Sequence, residues 1–295
     1  MSNENLKLSP IVWGHWRLAE WNLSPKELLE LSQKCIDIGI DTIDSADIYG
    51  NYSCEKLFGD TLALNPSVRK NIKIITKCGI KLLSDKNPDV YVKHYDYSAK
   101  HIIGSVENSL KNFRTDYIDM LLLHRPSPLL NPEEVAMAFS KLKESGKVLH
   151  FGVSNFLPHQ VDMLREFTSI PIEVNQVEIS PLQLEHLQNG NLDHMIKNHI
   201  VPMAWSPLGG GRLLKPKNEH EKSIYETILK IAKNHSALPD QIIISWLTSH
   251  PSKIVPIVGS GKFERISNAM KAANIKLSLQ EWFEIYSAAL NNEVP

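Results

Sequence analysis

Four residues carry the first hint of chemistry: Asp44, Tyr49, Lys77 and His124. Asp44 ends the short run Thr42-Ile43, with Tyr49 and Gly50 in the loop beyond it. Lys77 ends the β-branched run Ile-Lys-Ile-Ile-Thr, and His124 ends Ile-Asp-Met-Leu-Leu-Leu. Singly, a lysine at a strand end is an ordinary surface charge, a histidine an ordinary core residue and an aspartate a structural cap. Together they are hard to assign to stability, because burying several titratable groups requires mutual pairing to offset desolvation. Their joint chemistry follows from acid–base physics. An unperturbed phenol has a pKa of about 10, too high to exchange a proton readily near neutrality. A neighbouring ammonium favours the phenolate, and a carboxylate holds that ammonium charged and in place. Asp44, Lys77 and Tyr49 therefore form a tuned proton donor, and His124 can hydrogen-bond a substrate oxygen and orient it. A group that only gives a proton to a carbonyl oxygen needs a separate source of hydride, which a nicotinamide supplies.

These residues need a scaffold that brings strand ends together. Strand-like runs begin at Ile11, Thr42, Ile72, Ile118, Phe151, Ile172, Val201 and Ile254, with helical patterns between them. Ser24-Pro25-Lys26-Glu27 has the form of a capping box, and Asn131-Pro132-Glu133-Glu134 repeats it. Helices are expected over 54–64, 99–113, 158–167, 192–198, 224–235, 240–249 and 263–273. Residues 79–98 form a long polar loop, and Ser278 with Glu281 opens a further helix at the C-terminus. Strand and helix alternate without a break in composition. Eight such units predict an α/β fold: one (β/α)8 TIM barrel domain over 1–295 with an extra C-terminal helix. An open doubly wound sheet is the rival, weakened because no G-x-G-x-x-G follows the first strand. On a barrel the C-terminal ends of the strands share one rim, where catalytic groups collect. That rim would gather Asp44, Lys77, His124, Ser154, Asn155, Gln176, Trp205, Ser206 and Ser260.

Composition excludes several functions. The 295 residues are 42% hydrophobic and 22% charged, enough for a sizeable core. A formal net charge of -1 without long basic or acidic blocks argues against a nucleic-acid or membrane-surface partner. No apolar run reaches the ~20 residues of a membrane span. The segment from Met1 to Ser9 lacks the basic and apolar regions of a signal peptide. Cys35, Cys54 and Cys78 are scattered without metal-ligand spacing, which fits reduced thiols in a cytoplasmic protein and no metal. Nothing in the chain demands more than a monomer or weak oligomer.

The ordered set of motifs resembles the aldo-keto reductase family over nearly the whole chain. It comprises Asp44-x-Ala46-x-x-Tyr49-Gly50, Lys77 after its strand, Leu-Leu-Leu-His124-Arg-Pro126, Gly152-Val-Ser154-Asn155-Phe and Asn175-Gln176-Val-Glu178. It continues with Trp205-Ser206-Pro207-Leu208-Gly209 and Gly259-Ser260-x-Lys262-x-x-Arg265-Ile. The chain is most similar to bacterial NADP-dependent oxidoreductases of that family. The resemblance implies a tetrad of Asp44, Tyr49, Lys77 and His124, with NADP(H) as cofactor and a small-molecule carbonyl as substrate. It implies that Ser154, Asn155 and Gln176 hydrogen-bond the nicotinamide carboxamide, with Trp205, in place of the commoner Tyr, stacking on its ring. It implies that Ser206, Leu208 and Gly210 line the pyrophosphate, and that Ser260, Lys262 and Arg265 meet the ribose 2′-phosphate at a helix start. Gly14, Trp16, Pro207, Arg212 and Asn268 complete the implied cofactor set. Gly259 replaces the usual Lys before Ser260, so the preference for NADPH rests on Lys262.

Other departures bear on specificity. The hairpin that plugs the barrel bottom in many family members has almost no room before Pro10. Arg125 follows His124 where many relatives carry an aromatic; it either lines the substrate pocket or pairs with an acidic neighbour. Trp16, Trp21, Tyr91 and Tyr95 would give an aromatic-walled pocket or pack the long loop on the barrel. Two other functions share these motifs in whole or part. A cofactor-binding regulatory module, similar to potassium-channel β subunits, would keep the tetrad. A Schiff-base lyase with Lys77 as nucleophile would leave Ser154, Asn155 and Gln176 without a role.

Overall fold

The computed structural model describes residues 7–294. The expectation about the segment before Pro10 falls largely on residues 1–6, outside the described residues. Ten strands follow in chain order: β1 (Val12–Gly14), β2 (Thr42–Asp44), β3 (Lys73–Cys78), β4 (Ile80–Lys81), β5 (His94–Tyr95), β6 (Ile118–Leu123), β7 (Val148–Ser154), β8 (Ile172–Glu178), β9 (Val201–Trp205) and β10 (Val255–Val258). Eight of them close into a barrel in the order β1-β10-β9-β8-β7-β6-β3-β2, and β4 with β5 forms a separate antiparallel hairpin. The predicted (β/α)8 architecture is therefore the observed one.

The chain divides into two compact units. The first holds the residues up to Asn175 together with Gly259–Phe263. Its strands β1, β2, β3, β6 and β7 pair in parallel, each with the next in that order. They are buried nearly throughout, with an apolar majority, as befits strands covered on both faces. Ile43, Ile74, Ile75, Met120, Leu121, Leu122, Phe151 and Val153 are all buried. Register sets the height of the polar ends. Asp44 lies opposite Gly14 on one side and Ile75 on the other, so Lys77 stands two residues further along β3 and on the same face as Ile75.

The second unit holds Gln176–Val258 and the residues from Glu264 onward. The C-terminal helix Leu279–Leu290 opens with the expected reciprocal box of Ser278 and Glu281. Trp282 stacks on Trp246 with ring centroids 5.1 Å apart, and each indole N–H donates to the other's backbone carbonyl, at 3.0 and 3.1 Å. This double tie anchors the extra helix to the helix Pro239–Thr248.

One expected loop and one expected cap change. The stretch 79–98 is not wholly irregular, since β4 and β5 pair across it. The second capping box is not reciprocal. Asn131 accepts the N–H of Glu133, while Glu134 reaches away and accepts the N–H of Ala99, at 2.7 Å. Ser24 and Glu27 do form the full box. Cys35, Cys54 and Cys78 are free and buried. No helix among the described residues is long and apolar enough to cross a membrane.

Candidate active site

The four residues of the expected tetrad lie within the first unit. Lys77 is fully buried, and its ammonium donates to Asp44 Oδ2 at 2.8 Å, the Ser45 carbonyl at 2.7 Å and the Tyr49 hydroxyl at 3.1 Å. All three N–H donors are thereby used. The Tyr49 oxygen accepts from Lys77, which leaves its own O–H to donate elsewhere. His124 is buried, and its ring meets that of Tyr49 edge-on with centroids 5.8 Å apart. Among the described residues, His124 Nδ1 has no hydrogen-bond partner.

Electrostatics assign the protonation states. Burial works against the Lys77 ammonium, but Asp44 and Tyr49 outweigh it and hold its pKa above the ordinary lysine value. Burial drives His124 well below the usual imidazole range, and the cations Lys77, Arg125 and Lys93 push the same way, so the ring is neutral near pH 7. For Tyr49 the net direction differs from the expected lowering. Burial raises the phenol more than the Lys77 ammonium lowers it, and Asp44 adds to the rise. The phenol therefore stays protonated through neutral pH, with the Lys77 ammonium beside it.

Local backbone holds Tyr49 in an unusual way. Gly50, Asn51 and Tyr52 follow it in succession with φ of 57°, 51° and 62°. Gly50 tolerates this, and a Cβ there would lie 2.7 Å from Cys54 Sγ. Asn51 tolerates the left-handed region better than most residues, but for the bulky Tyr52 it is strained, at a cost of order 1–3 kcal/mol.

Sequence reasoning missed the layer beneath the tetrad. Glu55 is buried and accepts from Thr76 Oγ1 at 2.6 Å, Ser109 Oγ at 2.8 Å and Asn112 Nδ2 at 3.1 Å. It thereby braces the residue before Lys77. Its position three and seven residues before Phe58 and Leu62, on their buried stripe, was the available signal. Asp47 accepts from Ser105 Oγ at 2.9 Å through one oxygen, while the other is buried without a partner. Burial and the Glu55 charge push its pKa up to about 8.

The residues expected to hold a cofactor fall in both units. In the first, Ser154 ends β7 and is buried, and Asn155 follows it with φ 62° and donates to Ser154 Oγ at 2.7 Å. Ser260 accepts the Lys262 N–H on its Oγ at 3.1 Å and the Trp13 indole on its carbonyl at 3.0 Å. Gly14 ends β1 and is buried, and Trp16 beyond it is exposed with the Arg17 guanidinium 4.9 Å over its ring. Of the other expected wall aromatics, Trp21 stacks on Trp13 and Tyr91 is 90% exposed. Arg125 bears on the tetrad through its charge, which lowers both the Tyr49 and the His124 pKa.

In the second unit Gln176 is buried in β8 and Trp205 ends β9. Ser206 follows at φ 50°, then Pro207 and Leu208. Gly209, Gly210 and Gly211 are all left-handed. Arg212 donates twice to the buried Glu221, which also accepts from Lys217 N and Asn218 Nδ2. Its guanidinium is thus held by a carboxylate. Arg265 is exposed and Asn268 half-buried on the helix Phe263–Lys271.

The aldo/keto reductase family model matches residues 10–289. The chain is 48% identical to the uncharacterized oxidoreductase YcsN of Bacillus subtilis, covering 99% of this chain and 98% of that one. It is 42% identical to the oxidoreductase YdhF of Escherichia coli, over 98% and 96%. It is 40% identical to a 6-dehydroglucose reductase of Agrobacterium fabrum, over 99% and 98%. Among solved structures, the thermostable aldo-keto reductase Tm1743, in complex with the inhibitor epalrestat, has a TM-score of 0.82 at 27% identity and covers 97% of each chain. An aldo/keto reductase from Klebsiella pneumoniae, in complex with NADP and acetate, has a TM-score of 0.77 at 22% identity over 94% and 90%. A match over almost the entire length, on a barrel that brings together a carboxylate, an ammonium and a phenol, makes this chain a member of the aldo/keto reductase family.

Proposed function

We propose that the protein is an NADP(H)-dependent reductase that converts small aldehydes and ketones to alcohols. The observation that carries this reading is the buried Lys77 ammonium bonded at once to Asp44 and to the Tyr49 hydroxyl. A nicotinamide would supply hydride from its C4 to the carbonyl carbon. Tyr49 gives its O–H proton to the carbonyl oxygen as negative charge develops there, and Lys77 stabilises the resulting phenolate. His124, held neutral with its ring edge-on to that of Tyr49, orients the carbonyl oxygen.

The donor set suits such a cofactor. Ser154, Asn155 and Gln176 would hold the nicotinamide carboxamide, and Trp205 would stack on the ring. Ser206, Pro207, Leu208, Gly210 and Arg212 would follow the pyrophosphate. Of the three left-handed glycines from Gly209, the Gly209 and Gly211 N–H groups donate within the turn to the Ser206 and Leu208 carbonyls, and the open space where a Cβ would lie at Gly210 and Gly211 supports close approach of a phosphate there. Ser260, Lys262 and Arg265 would meet the 2′-phosphate, with Gly14, Trp16 and Asn268 as further contacts. The aromatic Trp16 and the cationic Arg125 suit a polar, hydroxylated substrate, and the 6-dehydroglucose reductase relative puts an oxidised sugar on the panel of carbonyls to test. The same reading expects a cytoplasmic monomer or weak oligomer.

The test is NADPH oxidation at 340 nm against a carbonyl panel, wild type beside Tyr49→Phe. We expect turnover by wild type and a loss of about 10²-fold or more in the variant with NADPH binding kept. Tight NADPH binding without reduction by either protein would favour a regulatory module. Absence of NADPH binding would show that the cofactor assignment is wrong.

A further inference from the structure

We propose that the β4–β5 hairpin is a clamp that sets the position of Tyr49, acting through Asn51 and Tyr52, which makes Asp85, Asn51 and Tyr52 positioning residues for the reaction. The inference rests on the reading of Tyr49 as proton donor. Its starting point is the backbone. Two adjacent non-glycine residues hold left-handed conformations immediately after Tyr49 and Gly50, and such strain persists only where the surroundings over-determine it. The side chains of both left-handed residues reach thirty or more residues along the chain to the same loop. Asn51 Nδ2 donates to Asp85 Oδ1 at 3.0 Å, and the Tyr52 hydroxyl accepts the Leu82 N–H at 3.0 Å. Within the turn, Ser53 Oγ donates to the Gly50 carbonyl at 2.6 Å.

The far end of the same hairpin is tied beside His124. The Tyr97 hydroxyl accepts from Arg125 N at 3.0 Å and donates to Arg125 O at 2.5 Å, so it grips the residue next to the histidine. Asp96 N donates to Gly79 O at 2.9 Å and closes the hairpin base. Gly79 has φ 106°, and a Cβ there would lie 2.0 Å from the Tyr97 ring, so the base admits no other residue without rearrangement. One segment thus joins the phenol's turn to the histidine's strand end. Released from the hairpin, residues 51 and 52 would relax toward ordinary right-handed or extended backbone. The phenol would then leave its 3.1 Å contact with Lys77.

The experiment compares wild type, Asp85→Ala, Asp85→Asn, Tyr52→Phe, the double variant Asp85→Ala/Tyr52→Phe, and Tyr49→Phe. It measures kcat, the carbonyl KM, NADPH Kd by fluorescence and the thermal midpoint. The clamp predicts a kcat loss of roughly tenfold for Asp85→Ala and for Tyr52→Phe, with Kd and midpoint nearly unchanged. It predicts wild-type kcat for Asp85→Asn, whose side-chain oxygen still accepts from Asn51. Because both contacts act on one turn, the double variant should lose less than the product of the single losses. Wild-type kcat in Asp85→Ala and Tyr52→Phe, beside an inactive Tyr49→Phe, would overturn the clamp and leave the donor assignment standing. Loss confined to NADPH Kd or to the midpoint would overturn it as well. A wild type that reduces nothing, or an active Tyr49→Phe, would sink the donor assignment and the clamp with it.

Discussion

Two ionisable groups withdrawn from water, Lys77 and Asp47, behave in opposite ways, and partners decide the difference. Lys77 remains an ammonium because a carboxylate, a carbonyl and a phenol take its three donors. Asp47 has one serine partner and the nearby Glu55 charge, so burial dominates and its pKa climbs to about 8. This has a consequence for stability. Between the ordinary carboxylate pKa near 4 and the folded value of about 8, the folded state holds a proton that the unfolded chain has released. Stability therefore falls as pH rises through that window. Asp47→Asn should remove this share of the slope, leaving the variant more stable than wild type at pH 8–9 and close to it near pH 4. Urea denaturation across pH measures it, and a slope unchanged by the substitution would contradict the assignment. The meeting of Asp44, Tyr49, Lys77 and His124 was legible in the sequence because polar residues at the ends of apolar runs are conspicuous. Asp47 was not, since nothing in Asp44-Ser-Ala-Asp47 distinguishes the second aspartate from a solvated one.

Elements were legible where their own residues define their ends. The helices Cys54–Leu64, Ala99–Phe113 and Pro158–Phe167 and the strand β9 start and stop where apolar periodicity and capping residues say they should. The helix Glu219–Asn234 begins earlier than the expected 224, because its first turn is polar and carries no stripe, although Asn218 caps it by accepting from Glu221 N. Strand β7 begins at Val148 instead of Phe151, since its first residues include the half-buried Leu149 and His150, the latter paired with Glu173. The hairpin β4–β5 was hidden because two-residue strands show no period. Partners distant in sequence are equally invisible, as Glu134 shows. It was expected to cap its own helix, yet it caps Ala99–Phe113, where Ser98 already serves His101 N. Glu134→Ala should lower stability by about 1 kcal/mol, the usual worth of a cap, and Glu134→Gln should restore most of it. Thermal or chemical unfolding reads this, and an Ala variant as stable as wild type would remove Glu134 from the cap.

At the scale of the molecule, the alternation of strand and helix was the most legible property, and it led directly to the closed eight-stranded barrel. The two compact units within it were not anticipated. We propose that the whole chain nevertheless behaves as one domain, because strands of a single closed sheet cannot lose pairing piecemeal at small cost. Fluorescence and circular dichroism should report one coincident unfolding transition. NADPH at 100 times its Kd should stabilise the fold by about 2.7 kcal/mol, a rise of several degrees in Tm. Separate transitions, or a shift in only one of them, would divide the chain into two domains. The burial of the three cysteines adds a different kind of property. Burial pushes the Cys35 thiol up to about 12 and raises Cys54 and Cys78 as well, so almost no thiolate exists in the folded protein. Aldehydes and their unsaturated derivatives are electrophiles that consume thiolates. A protein proposed to work among such compounds keeps its softest nucleophiles out of their reach, and self-alkylation must wait until the fold opens.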